Sequence, residues 1–210
     1  MLATVLSVDG KAEVRQKGHS EFTQITPATL LGVGVLVRTG ASGRLNLAFL
    51  PNSLANLGGN TELQIDDLAL TKNGNVMRND VRSRMVRLLL LRGTIRALFN
   101  RPPDCKSDLM IRTPYGELNV NSDCFLLADV DNRRTRVTCI YGIVTTRIEQ
   151  TNFSVEAGYF QEFPSIDVSP QTAADDAQAQ RDVKSMIETG NDLQNLANRQ
   201  RLLKPDFLDR

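Results

Sequence analysis

The sequence is poor in aromatic and histidine side chains, and this scarcity excludes several classes of function. It has no tryptophan, 5% aromatic residues and a single histidine, His19, in the polar segment "RQKGHSEF". Stacking surfaces for bases or sugars are built from aromatic rings, so we expect neither nucleic acid nor carbohydrate as a partner. A general base needs a neighbouring group that orients it, and His19 has none nearby in the sequence. We therefore expect a protein that is not an enzyme.

Excess charge and long apolar runs are also missing. The chain carries 25 Lys and Arg against 24 Asp and Glu, so its net charge is +1 and no global field attracts nucleic acid or anionic lipid. No segment approaches the roughly 18 consecutive apolar residues of a transmembrane helix. The start, "MLATVLSVDG", lacks the basic and apolar regions of a signal peptide. We expect a chain without a transmembrane segment; whether a signal peptide was removed before this numbering stays open.

Cysteine is scarce as well, and its spacing argues against a metal site. Cys105, Cys124 and Cys139 form no CxxC pair, and no nucleophile, phosphate-loop or metalloprotease motif is present, so we expect no cofactor. If Val130 and Thr135 flank a tight turn, Cys139 becomes the diagonal neighbour of Cys124 on one sheet face. A disulfide there requires a bulge or a twist, and buried free thiols are the preferred alternative.

Short β-type segments separated by glycine dominate residues 1–168. The first, "ATVLSVDGKAEVRQ", reads as a hairpin because Asp9-Gly10 tolerates the positive φ of a tight turn. Many short strands at near-regular spacing are typical of a sandwich, a barrel or a solenoid. Two stretches echo each other, "RTGASGRLNL" from Arg38 and "RTPYGELNV" from Arg112, and we interpret them as architectural repetition. In that interpretation Leu45 and Leu118 point into the core.

Residues 169–210 have a different composition and predict a helical C-terminal extension. Residues 171–203 contain neither Phe nor Tyr, and Ser169 with Pro170 suits a helix start. Gly190-Asn191 predicts a division into two helices. The helices carry a narrow apolar stripe of Val183, Met186, Ile187, Leu193, Leu196, Ala197 and Leu203. Such a stripe covers either the chain's own β domain, which we favour, or another subunit.

A basic run, "MRNDVRSRMVRLLLLRGTIRALFNR", precedes the middle of the chain. We read its apolar part, 85–99, as strands around Gly93, and the residues before it as a polar excursion whose arginines contact acidic groups of a partner. The candidate partner contacts are therefore Arg82 and Arg84 from this run and Val183, Ile187, Leu193 and Leu196 from the helical extension.

The order of the motifs resembles the FecR-type domain. The resemblance rests on "ATVLSVDGKAEVRQ", "GVGVLVRTGASGRLNLAFLPNSLANLGGNTELQID", "LLRGTIRALF", "IRTPYGELNVNSDCFLLADVDNRRTRVTCIYGIVTT" and "FSVEAGYFQEF", which follow the family's motif order over about residues 3–165. Three turns depart from the family pattern: Val35 replaces an acidic residue, Pro51-Asn52-Ser53 replaces "D-G-S", and Ser122-Asp123-Cys124-Phe125 replaces "G-T-x-F".

The resemblance implies a compact all-β domain, solenoid- or sandwich-like, over residues 1–168, followed by the helical extension. It also implies an extracytoplasmic location in a bacterial cell envelope. We expect a non-enzymatic protein-interaction or scaffolding module, part of a larger envelope assembly, with a protein partner or a second copy of itself. The alternative is a periplasmic sensor component of a FecR-like pathway that regulates a sigma factor and acts with a separate membrane protein.

Overall fold

Seventeen strands, one 3₁₀ turn and one helix make up the described chain. The computed structural model describes residues 1–27, 29–72, 81–102, 104–164 and 169–203. In chain order the strands are β1 (Ala3–Asp9), β2 (Ala12–Arg15), β3 (Thr23–Gln24), β4 (Leu30–Leu31), β5 (Leu36–Thr39), β6 (Arg44–Leu50), β7 (Ser53–Leu57), β8 (Glu62–Lys72), β9 (Val81–Phe99), β10 (Lys106–Thr113), β11 (Gly116–Val120), β12 (Cys124–Val130), β13 (Thr135–Tyr141), β14 (Ile143–Ile148), β15 (Thr151–Glu156), β16 (Tyr159–Phe163) and β17 (Gln171–Thr172). The 3₁₀ turn is Ala173–Asp175 and the helix, α1, is Ala177–Leu203.

The strands form two layers joined through β9. The first layer has the order β4-β1-β6-β7-β9-β12-β13-β16-β17, with antiparallel neighbours. The second layer has the order β3-β2-β5-β8-β9-β10-β11-β14-β15, in which β9 and β10 are parallel and the other neighbours antiparallel. The first half of β9 belongs to the second layer and the half after Gly93 to the first.

Gly93 is the point where β9 passes from one layer to the other. Its φ is +82°, and a Cβ there would lie 2.5 Å from Cα of Thr61. A residue with a side chain would clash with the backbone and would be strained at this φ, so the bend requires glycine. The sequence prediction of β segments on both sides of Gly93 is confirmed, although they form one long bent strand.

A single apolar core lies between the layers. Leu45, Leu57 and Ile95 of the first layer and Ile65 and Leu88 of the second are fully buried in one cluster. Along β6 these buried residues alternate with partly exposed ones, as a strand with one face in a core requires. The all-β prediction is confirmed, and the arrangement is that of a sandwich.

The two echoing stretches do not form equivalent units. The first connects β5 in the second layer to β6 in the first, whereas the second is the β10–β11 hairpin within the second layer. Leu45 and Leu118 are both 0% exposed, so the prediction that they point inward is correct. The prediction of architectural repetition is wrong, because one turn connects the two layers and the other connects two strands of the same layer.

Helix α1 lies across the outer face of the first layer. Three residues at seven-residue spacing, Ala179, Met186 and Leu193, are 0% exposed. Each belongs to a small apolar cluster with strands of this layer: Ala179 with Phe160, Met186 with Phe125 and Leu127, and Leu193 with Leu6 and Leu54. The favoured alternative, that the stripe covers the chain's own β domain, therefore holds for these residues.

The helix differs from its prediction at its start and in its middle. It begins after Asp176, whose Oδ1 accepts a hydrogen bond of 2.7 Å from the backbone N–H of Ala179; Ser169 precedes β17. Gly190 lies inside a continuous helix, so the predicted division into two helices is wrong. A Cβ at Gly190 would lie 2.8 Å from the Phe125 ring, so glycine lets the helix approach the sheet closely. Ala197 and Leu203 have side chains outside the described set.

All three cysteines are buried free thiols. Val130 and Thr135 are partners at the end of the β12–β13 ladder, as the sequence predicted. The regular register of this ladder sets Cys139 opposite Leu126, and a register shift follows between Leu126 and Phe125. Cys124, two residues from Leu126, is buried in the same core cluster as Cys139.

Candidate interaction surface

The outer face of the second layer carries a groove of about 590 Å³. The contacts that we describe for α1 are with the 3₁₀ turn and with β1, β7, β9, β12 and β13, strands that form or enter the first layer. Strands β8, β9, β10, β11 and β14 supply the groove's lining, which mixes both signs of charge. We call this site the mixed-charge groove; it is lined by Asp66, Asp67, Arg87, Met110, Arg112, Glu117, Asn119 and Arg147.

Alternating charges cross four strands at the groove. Arg112 Nη2 lies 2.5 Å from Asp66 Oδ2, and Arg147 Nη2 lies 2.7 Å from Glu117 Oε2. The strand register sets Arg112 opposite Glu117 and Glu117 opposite Arg147, so the four side chains form a continuous row. The hydrogen bond to Asp66 raises the pKa of Arg112. Exposed ion pairs contribute at most about 1 kcal/mol each to stability, so the fold does not depend strongly on this row.

Two charges in the groove have no ion-pair partner among the described residues. Asp67 and Arg87 are register partners on β8 and β9, but neither belongs to an ion pair within that part of the chain. The Arg87 Nε contacts the Met85 sulfur at 3.2 Å, which is a weak acceptor. Arg87 also interacts electrostatically with Asp108, whose pKa is raised by burial and lowered by this arginine, with burial the larger effect.

A second row of alternating charges lies on the neighbouring strands of the same face. Arg38 Nε lies 2.7 Å from Glu13 Oε2, and Arg92 Nη2 lies 2.8 Å from Glu62 Oε1. Arg38 is also the register partner of Glu62, and its guanidinium stands 3.7 Å from the centroid of the Phe22 ring. The hydrogen bond from Arg38 lowers the pKa of Glu13. Arg38 and Arg112, the first residues of the two echoing stretches, thus each occupy a charged row.

The two arginines predicted as partner contacts differ sharply in exposure. Arg82 is exposed at the start of β9, whereas Arg84 is 2% exposed. The Arg84 guanidinium donates hydrogen bonds to the Ser107 hydroxyl at 3.0 Å and to the backbone carbonyls of Pro51 and Asn100. Desolvation lowers the pKa of Arg84. Arg84 therefore joins the β6–β7 turn, the segment after β9 and the start of β10, and has little surface for a partner.

The four helical residues predicted as partner contacts also separate into two groups. Leu193 is fully buried, and Val183 and Leu196 are partly buried against the first layer. Ile187 follows the buried Met186 directly and is 55% exposed at the edge of the buried stripe. Three of the four side chains thus cover the chain's own sheet, and the helical stripe presents Ile187 to solvent.

Polar side chains are enclosed between the helix and the first layer. Arg136 is 6% exposed; it pairs with Glu162 at 2.7 Å and with Asp176 at 2.5 Å, and lies 4.2 Å from the centroid of the Phe160 ring. Arg96 donates to Asn56 at 3.1 Å and to Ser185 of the helix at 3.3 Å. These contacts fix the direction of the helix on the sheet, since its apolar contacts are confined to three small clusters.

Sequence reasoning did not find the mixed-charge groove, since its lining comes from five strands between residues 66 and 147. The available signal was the opposite charge of Arg112 and Glu117 around the turn of one echoing stretch. His19 lies in an exposed turn, as its polar segment suggests. Among the residues that the structure describes, no cluster of three or more His, Cys, Asp or Glu forms a metal site.

The sequence model of the FecR protein family matches residues 35–145, which is more than half of the chain, so the protein belongs to this family. The matched region contains every groove residue except Arg147. No curated protein sequence matches the chain. No described helix is long and apolar enough to span a membrane.

Two crystal structures of a candidate anti-sigma factor from Parabacteroides distasonis ATCC 8503, at 1.65 and 2.50 Å resolution, are similar to the chain. Each is 10% identical in sequence, and the similarity covers 65% of this chain and 57% of that one. The TM-scores are 0.45 and 0.46.

Proposed function

We propose that the protein is a protein-binding component of a FecR-type signalling pathway that regulates a sigma factor, and that it acts with a separate membrane protein. Membership of the FecR family is the observation that carries this proposal. It supports the sensor component better than a general scaffolding subunit. The proposed role requires no catalysis.

The proposed location is the extracytoplasmic side of a bacterial membrane. Family membership supports this location, since FecR-type domains receive signals outside the cytoplasm. In the proposed pathway, the signal passes from this chain to a membrane-spanning partner by direct contact.

The proposed contact surface is the mixed-charge groove. It lies almost entirely within the family match, and its face is not covered by α1. Asp67 and Arg87 have no ion pairs within the described chain, so a partner segment that brings both charges satisfies them without breaking the existing row.

The test is a charge reversal in the groove, read out in the native organism. Arg87→Glu should weaken co-purification of the membrane partner and should change sigma-dependent transcription in the same direction as deletion of the gene. Arg181→Glu is the matched control, because Arg181 is an exposed arginine on α1, on the other side of the sandwich.

Two results would contradict the proposal. Sigma-dependent transcription that is unchanged by deletion of the gene rules out the signalling role. An Arg87→Glu protein that accumulates normally and signals like the wild type excludes the groove as the contact surface.

A further inference from the structure

Cys124 and Cys139 lie on the inward side of neighbouring strands. They lie on the adjacent antiparallel strands β12 and β13, are both 0% exposed, and belong to the same apolar cluster. The neighbouring Cys139 thiol, together with burial, raises the pKa of Cys124. The third cysteine, Cys105, lies in the connection before β10, where the Ser107 hydroxyl donates to its sulfur at 3.2 Å.

The local backbone supplies the distortion that a bridge between these positions requires. Diagonal neighbours on a regular antiparallel pair lie farther apart than a disulfide normally spans. The register shift between Phe125 and Leu126 is such a distortion, because a bulge bends the strand and increases its twist. Gly142 fixes the path of β13 here: its φ is +81°, and a Cβ would lie 1.9 Å from the Asp123 carbonyl oxygen.

We propose that Cys124 and Cys139 form an intrachain disulfide when the chain folds in the presence of a disulfide oxidant. The thiolate of one cysteine attacks a sulfur of the oxidant, and a mixed disulfide forms as one oxidant thiol leaves. The second cysteine then attacks the bonded sulfur of the first and releases the other oxidant thiol. The two cysteines lose two protons and two electrons, and the oxidant is reduced to two thiols.

The bond forms during folding, because neither sulfur is accessible in the folded protein. It ties β12 to β13, the strands that carry Phe125 and Arg136 beneath α1. The proposal is independent of the groove and of the partner. An oxidising extracytoplasmic location would supply the oxidant in the cell.

The test is oxidative refolding of the full chain. The protein is unfolded in urea with a reductant and refolded by dilution into a mixture of reduced and oxidised glutathione. It is then denatured with an alkylating reagent, and free thiols are counted by mass spectrometry. We expect the count to fall from three to one. Three free thiols in the refolded protein, or a bridge that involves Cys105, would overturn the proposal.

Tryptic mapping identifies the bonded pair without any substitution. Cleavage after Arg112, Arg133, Arg136 and Arg147 places Cys124 on the peptide 113–133 and Cys139 on 137–147. We expect these peptides to be joined before reduction and separate after it. If they are separate in both samples, the proposal is wrong.

A cysteine variant provides the control for the thiol count. Cys105→Ser should refold with no free thiol and with the same joined peptides. A Cys105→Ser protein that keeps two free thiols after refolding would contradict the proposal, and this outcome does not depend on how the groove binds a partner.

Discussion

Replacing Leu193 by alanine tests whether α1 is part of the folded core. Leu193 is 0% exposed, and its side chain packs on Leu6 and Leu54 of the first layer. The substitution removes three carbons from this contact and leaves a cavity between helix and sheet. Leucine and alanine have similar helix propensities, so the change acts mainly through packing.

The expected loss in the free energy of unfolding depends on where the cluster around Leu193 lies. Buried Leu→Ala substitutions cost about 2.7–5 kcal/mol, depending on how far the surroundings relax. The cluster around Leu193 is small and lies on the outer face of the sheet, where the helix can shift inward. We therefore expect the lower end of the range, about 2–3 kcal/mol. For a chain of this length, each kcal/mol corresponds to roughly 2–4 °C in Tm.

The assay is equilibrium unfolding in urea at neutral pH, monitored by far-ultraviolet circular dichroism. Ile187→Ala is the matched control, because Ile187 lies on the same helix and is 55% exposed. We expect the free energy of unfolding of this variant to differ from that of the wild type by less than about 0.5 kcal/mol. Equal stabilities of the two variants, or a Leu193→Ala protein as stable as the wild type, would refute the docking of α1 on its own sheet.

Three further substitutions test the remaining contacts. Gly190→Ala adds a Cβ 2.8 Å from the Phe125 ring, so it should lower the free energy of unfolding by about 1 kcal/mol, although helix propensity alone predicts a gain. Phe125→Leu in the same background should remove most of that penalty in urea unfolding; an additive loss would exclude the clash. Arg84→Ala should lower the free energy of unfolding by about 3 kcal/mol, because buried carbonyls lose their hydrogen-bond donor. Substitution of the exposed Arg82 by alanine should lower it by less than about 0.5 kcal/mol. Equal melting temperatures of the two variants would refute this difference. Asp176→Ala should cost about 1 kcal/mol at neutral pH through loss of the helix cap. The backbone hydrogen bond from Ala179 lowers the pKa of Asp176 in the folded state, so the unfolded chain takes up the proton first and this stability is lost as pH falls below about 4. The difference between wild type and variant should therefore shrink in acid, and a difference that grows would contradict the assigned cap.

The strands were the most predictable part of the molecule, because their signals are local. Asp9-Gly10 and Gly93 mark a turn and a bend through backbone conformations that the residues nearest them already determine. The hairpin predicted around Asp9-Gly10 is nevertheless wrong, because the turn passes between the layers: β1 pairs with β4 and β6 in the first layer, and β2 pairs with β3 and β5 in the second. The inward positions of Leu45 and Leu118 follow from the alternation of side chains along a strand. Layer membership is not local in this sense: the turn after Arg38 passes from the second layer to the first, whereas the similar turn after Arg112 stays within the second layer.

The candidate site was less predictable for the same reason. Asp66 and Arg112 are 46 residues apart in the sequence. Their side chains come into contact because β8 and β10 both pair with β9, on its two sides. Arg82 and Arg84 are close in the sequence and have similar neighbours along the chain. Arg82 is nevertheless exposed, whereas Arg84 donates hydrogen bonds to Pro51, Asn100 and Ser107, which lie in three separate parts of the chain. Which of two nearby arginines becomes buried depends on where distant carbonyls lie.

The sequence by itself determined the all-β domain, the helical C-terminal segment, the inward positions of Leu45 and Leu118, and the family. These features follow from the alternation of apolar residues along strands, the placement of glycines and the order of motifs, which are all local or sequential properties. The tertiary structure alone decided the two-layer order, the single uninterrupted helix and the mixed-charge groove. Gly190 illustrates the division. In the sequence it is a helix breaker, because glycine gains more freedom on unfolding than other residues. In the fold it is the position where a helix meets the Phe125 ring, and the close approach that its missing side chain allows keeps the helix on the sheet.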